Sequence, residues 1–132
     1  MALLASKFLN EAHTYGWRTH PSTAHSTVEP ESVTVDGNVA ASEGGGLWNS
    51  TGVMTLDAVP ITNNTASGNG ADNGGGGIFN NGGTLDVLAG TLITDNTADG
   101  TSGSGGGIFS TDGDVTITAS TITNNGANRA GG

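Results

Sequence analysis

From residue 33 onward, apolar residues come in short alternating bursts that recur at a nearly fixed distance. Leu47-Trp48, Ile78-Phe79 and Ile108-Phe109 each follow a run of glycines, at spacings of 31 and 30 residues. Five positions beyond each aliphatic stands Gly52, Gly83 or Gly113. Then come "VMTL" (53–56), "TLDV" (84–87) and "DVTI" (114–117), which put Met54/Leu56, Leu85/Val87 and Val115/Ile117 in the same phase. A third stretch closes each repeat: "PITNN" (60–64), "LITDN" (92–96) and "TITNN" (121–125). The middle repeat holds one additional residue before this third stretch, which reads as a bulge. A degenerate earlier copy, "VTVDGNVAASEGGG" (33–46), matches Val35 to Ile61 and brings the total to about three and a half copies.

Alternation over such short runs, bounded by Gly, Asn, Asp and Thr, predicts strands and leaves no helical period. A period near thirty with three strands per repeat predicts one coil of a parallel β-helix. The expected fold is therefore all-β, a solenoid of about three coils over residues 32–132. Equivalent residues then stack at about 4.8 Å, the inter-strand spacing, and the repeated aliphatics become internal columns. Asn38, Asn64, Asn96 and Asn125 fall in one column and predict an amide ladder at a corner, where Asn tolerates left-handed backbone and can bond to the next coil. Trp48, Phe79 and Phe109 each follow an inward aliphatic, so alternation points them outward as an aromatic stripe. Such a stripe suits carbohydrate stacking or a lateral protein contact, or it stabilises the stack itself.

Residues 1–31 carry a different pattern. Leu3, Leu4, Phe8, Leu9 and Ala12 sit at helical spacing, which predicts a short amphipathic helix over roughly 2–13. A Pro/Thr/Ser-rich extended arm follows over 19–31. This segment is expected either to cap the first coil or to dock on a neighbouring subunit. At the other end, Gly131 and Gly132 align with the glycines that elsewhere lead into an inward aliphatic. An open last coil there invites the first coil of another copy, and a head-to-tail contact of that kind propagates as a fibre.

Composition narrows the chemistry. Only three of 132 residues are Lys or Arg against twelve Asp and Glu, a net charge of −9. Such a surface has almost nothing with which to neutralise phosphates, which disfavours nucleic acid, anionic membranes and polyanionic sugars as partners. With no cysteine, neither disulfides nor thiolate metal sites contribute. Nothing approaches the ~18 apolar residues of a membrane span. The opening "MALLASKFLNEAH" does not read as a signal peptide, because Lys7 interrupts its apolar run and no basic region precedes it.

Candidate active groups are sparse, and no cofactor is expected. Polysaccharide cleavage by a hydrolase needs two or three convergent carboxylates. Asp57, Asp86 and Asp114 align only loosely, and Asp112 and Asp114 flank a turn glycine. A lyase needs a base, and the repeats hold only Arg129. The calcium-binding nonapeptide pattern is missing from "GGGGIFNNG" and "GGGIFSTDG". His13, His20 and His25 have no metal-ligand spacing, and the glycine runs lack the lysine and helix of a nucleotide loop. "NST" (49–51) and "NNT" (63–65) match the glycosylation acceptor pattern.

The "GGGIF" and "ITNNTA" motifs resemble the repeats of chlamydial polymorphic outer-membrane proteins. They are also similar to those of bacterial right-handed β-helix surface proteins more widely. The resemblance covers 33–132 and implies an extracellular or cell-surface protein with a structural or adhesive role. The leading expectation is a non-catalytic subunit whose partner is itself, stacked end to end in a filament. The alternative is a glycan-binding or adhesin module using the aromatic stripe, and a polysaccharide-degrading enzyme comes third.

Overall fold

The computed structural model of the 132-residue chain describes residues 2–4 and 32–132. Residues 32–132 wind into a parallel β-solenoid of about three coils. The first coil holds β2 (Val35–Asp36), β3 (Val39–Ala40), β4 (Leu47–Asn49) and β5 (Val53–Leu56). The second holds β6 (Pro60–Thr62), β7 (Thr65–Ala66), β8 (Ile78–Asn81) and β9 (Thr84–Val87). The third holds β10 (Leu92–Thr94), β11 (Thr97–Ala98), β12 (Ile108–Thr111) and β13 (Asp114–Ile117). β14 (Thr121–Thr123) and β15 (Gly126–Ala127) begin a fourth.

Each coil therefore has four strands, one more than the alternation predicts. The additional strand is only two residues long (Thr-Ala in coils two and three), too short to show a period. Stacking gives four sheets: sheet I (β2, β6, β10, β14), sheet II (β3, β7, β11, β15), sheet III (β4, β8, β12) and sheet IV (β5, β9, β13). The registers follow the sequence alignment: Val35↔Ile61, Ile93↔Ile61, Leu47↔Ile78 and Met54↔Leu85 are all cross-strand partners. The core is the set of inward columns, with Leu47, Ile61, Ile78, Leu85, Val87 and Ile93 buried along the axis. Burial of these aliphatics is the main stabilising term in a chain with so few of them.

Two further details differ from expectation. The additional residue of the middle repeat lies in the turn 88–91 and not inside a strand, because Leu92 pairs with both Pro60 and Thr121. There Thr91 turns its hydroxyl inward, accepting from Val59 N (3.3 Å) and donating to Leu56 O (3.3 Å), so the longer turn is stitched to the coil before it. At the N-terminus, Ala2–Leu4 is a strand, β1, and not the start of a helix. It runs antiparallel to β4, with Leu3 opposite Trp48 and Leu4 opposite Leu47. A short isolated helix is marginal in water, whereas the outer edge of β4 offers unpaired backbone groups, and edge pairing prevails. The rest of the expected helix, with Phe8 and Leu9, and the three histidines lie outside the described residues.

Candidate interaction surfaces

The Asn column forms a continuous ladder at the corner between sheets I and II. Each side-chain Oδ1 accepts from both the backbone N–H and the Nδ2 of the Asn one coil earlier. Asn64 thus holds Asn38 at 3.0 and 2.9 Å, Asn96 holds Asn64 at 3.0 and 2.9 Å, and Asn125 holds Asn96 at 3.0 Å twice. The second Nδ2 hydrogen bridges to a main-chain carbonyl: Val35 for Asn64, Ile61 for Asn96, Ile93 for Asn125. The left-handed residue at this corner is not the ladder Asn but the one before it: Gly37, Asn63, Asp95 and Asn124, with φ between 54° and 64°. The backbone turns at that residue, which frees the following Asn to point inward. The last glycine of each run lies against this ladder. A Cβ on Gly77 would stand 2.6 Å from Gly107 O and 3.1 Å from the Asn96 amide, so no side chain fits.

A second ladder escapes the sequence reading. Asn49 and Asn80 are fully buried at the end of the sheet III strands, and Asn49 Nδ2 donates to Asn80 Oδ1 at 2.8 Å. Asn80 Nδ2 then donates to Ser110 Oγ at 3.1 Å. The 31-residue spacing of Asn49 and Asn80 was a usable signal, but Ser110 breaks the amide pattern. Asn49 belongs to one of the two glycosylation patterns, and the folded solenoid does not present its buried amide to an enzyme. Asn63, of the other pattern, is exposed and donates to Asp36 Oδ1 at 2.9 Å.

The aromatic residues do stack in register, Trp48↔Phe79↔Phe109. Phe79 and Phe109 lie with ring centroids 5.5 Å apart at 50°. Phe79, however, is only 3% exposed, so the middle ring faces no solvent. Two corner glycines lie against the column: a Cβ on Gly44 would stand 3.1 Å from that of Trp48, and one on Gly105 2.7 Å from that of Phe109. Trp48 Nε1 donates to Glu43 Oε1 at 3.3 Å, which ties the loop to the first ring. The arrangement is suited to holding the corner together, and it leaves no continuous platform for a sugar.

Among the described residues the carboxylates do not converge. Asp86 is in register with Thr55 and Thr116, and Asp114 with Thr84, so they occupy different columns. Among the described residues no group of three or more His, Asp or Glu is placed to hold a metal ion. Arg129, the one base among the described residues, donates to Ala71 O at 3.0 Å across the loop stack.

The two ends of the solenoid differ. In the first coil, Val35, Leu47, Met54 and Leu56 are all buried. In the last, the column members come to the surface: Ile117 is 49% and Ile122 38% exposed, while Val87 and Ile93 directly beneath them are fully buried. Gly131 follows the bridge Ser104↔Ala130 and has φ 68°, so it occupies the corner position of Gly44, Gly75 and Gly105, and Gly132 follows at the next position. Leu3 and Leu4 are placed along the other end by β1.

Comparison with family models, with curated proteins and with solved structures finds no match for this chain. What the fold and its surfaces define is a class, a small parallel β-solenoid of Asn-laddered coils. The likeness to bacterial surface-protein repeats rests on the motifs alone.

Proposed function

We propose that this chain is a non-catalytic structural subunit that self-assembles end to end through its β-solenoid coils. The observation that carries this reading is the register of near-identical coils: Val35, Ile61, Ile93 and Ile122 share one column, and Asn38, Asn64, Asn96 and Asn125 share one ladder. A coil that stacks on its neighbour in this way offers the same columns to a coil of another copy, by strand addition. Each coil of a solenoid is stabilised by the neighbour that covers it, so stacking stabilises as well as joins. The surface-protein likeness of the repeats supports a place outside the cell or on its surface. The dispersed carboxylates and the single described base support a role without catalysis.

Analytical ultracentrifugation of the purified chain over a hundredfold range of concentration tests this. The expected result is a species whose sedimentation coefficient grows with concentration, seen as filaments in negative stain. Ile122→Lys, which places a charge in the stacking column, is expected to keep the β-rich circular dichroism and abolish growth. A wild-type chain that stays monomeric throughout overturns the reading.

A further inference from the structure

We propose that Asn69-Gly70 is a self-modification site, at which the folded chain converts its own asparagine to aspartate or isoaspartate with the assistance of Thr101. The inference is independent of self-assembly.

Four Asn-Gly pairs occur in the solenoid: Asn69-Gly70, Asn73-Gly74, Asn81-Gly82 and Asn125-Gly126. Such pairs are reactive, because glycine has no side chain to keep its main-chain nitrogen from the preceding amide carbon. Reaction asks two things of the fold. The attacking nitrogen must be free of the bonds between coils, and the charge that develops on the amide oxygen must meet donors already in place.

Three of the pairs fail the first requirement or are held away from reaction. Gly82 N donates to Thr111 O at 2.8 Å and Gly126 N to Asn96 O at 2.9 Å, so both nitrogens are fixed between coils. Gly74 is buried and bridges Ser104. The Asn73 amide beside it is held from three sides, by Gly70 N, Ser42 Oγ and Glu43 Oε2.

Asn69 meets both requirements. Five residues, 69–73, lie between Gly68 and Gly74, where three, 101–103, lie between Gly100 and Ser104. The longer loop carries Gly70 out of the ladder between coils, and Asn69 and Gly70 are both exposed. Gly70 N donates to the Asn73 side chain at 2.8 Å, a bond that a rotation of that side chain releases. The atoms nearest a Cβ built on Gly70 all belong to the same side chain, so nothing else crowds the nitrogen. Asn69 Oδ1, meanwhile, accepts from Thr101 N at 2.9 Å and from Thr101 Oγ1 at 3.2 Å. Two donors on one carbonyl oxygen draw electrons from Cγ and stand where an oxyanion forms.

The chemistry needs only water. Gly70 N gives its proton to solvent base and attacks Asn69 Cγ. The new N–C bond forms as the Cγ–Nδ2 bond breaks, and Nδ2 takes a proton from water and leaves as ammonia. Water then opens the resulting succinimide at either carbonyl, which yields aspartate or isoaspartate at position 69. Nothing is oxidised or reduced. The product adds one negative charge to a loop stack that already carries Asp72 and Asp99.

The experiment ages the full-length chain in mildly alkaline buffer, folded and in concentrated urea, and quantifies each Asn-Gly peptide by mass spectrometry. In the folded chain Asn69 is expected to convert at least tenfold faster than Asn73, Asn81 or Asn125. In urea the four are expected to react within a few-fold of one another. Thr101→Val, which removes the hydroxyl donor, is expected to slow Asn69 several-fold in the folded chain, and Thr101→Ser to keep the wild-type rate. Any other pair converting as fast as Asn69 in the folded chain overturns the site. A Thr101→Val rate equal to wild type overturns the assistance by Thr101.

Discussion

Asn96 sits at the centre of the most highly connected side-chain network among the described residues. Its Oδ1 holds two donors of Asn64, and its amide bonds to Ile61 O, Thr94 O and Asn125 Oδ1. Truncation takes a partner from the Asn64 backbone N–H, from one Asn64 amide hydrogen (the other keeps Val35 O) and from Ile61 O, each loss worth about 1–3 kcal/mol. Asn96→Ala is therefore expected to destabilise the chain by at least about 2 kcal/mol, read from the shift of the urea midpoint at constant m-value. Asn49→Ala is expected to cost clearly less, because its Oδ1 already lacks a partner and only its donations are lost. Equal costs for the two would show that the ladders do not act through these bonds. The first ladder was legible in the sequence because four asparagines recur in phase with the aliphatics. The second was not, since Ser110 performs an amide's task in its third rung. Nor was the burial of Phe79 legible: strand alternation gives a side chain's direction but not what closes over it.

At the scale of elements, the long-range pattern was readable and the local one misled. Columns such as Leu47/Ile78/Ile108 are fixed by repetition every 30 or 31 residues, and each copy confirms the others. The helical spacing of Leu3, Leu4, Phe8 and Leu9 stands alone, and for residues 2–4 the free edge of β4 overrides it. The two-residue strands β3, β7, β11 and β15 carry no period of their own and are defined only by the coils above and below. β1 covers the outer edge of β4 and so shields an edge that would otherwise be unpaired. Leu3→Pro removes a backbone N–H from the middle of that strand. It is expected to speed amide hydrogen exchange in β4 several-fold while the β-rich circular dichroism is kept. Unchanged exchange in β4 would show that β1 does not protect that edge.

For the whole molecule, the decisive feature is repetition: each coil sets the same aliphatic and Asn columns on the next. Stacked copies also carry −9 each and repel along the axis. Screening extends over a Debye length of about 10 Å at 0.1 M salt and about 3 Å at 1 M. Assembly is thus expected to strengthen on raising sodium chloride from 0.05 to 0.5 M, seen as a lower critical concentration, and the opposite trend would mean that attraction between charges drives the joint. The account's central claim, that copies stack end to end with their coils continuous, is tested most directly by fibre diffraction from aligned assemblies. It predicts a meridional reflection at about 4.8 Å, the inter-strand spacing. Sedimenting assemblies without that reflection would contradict it.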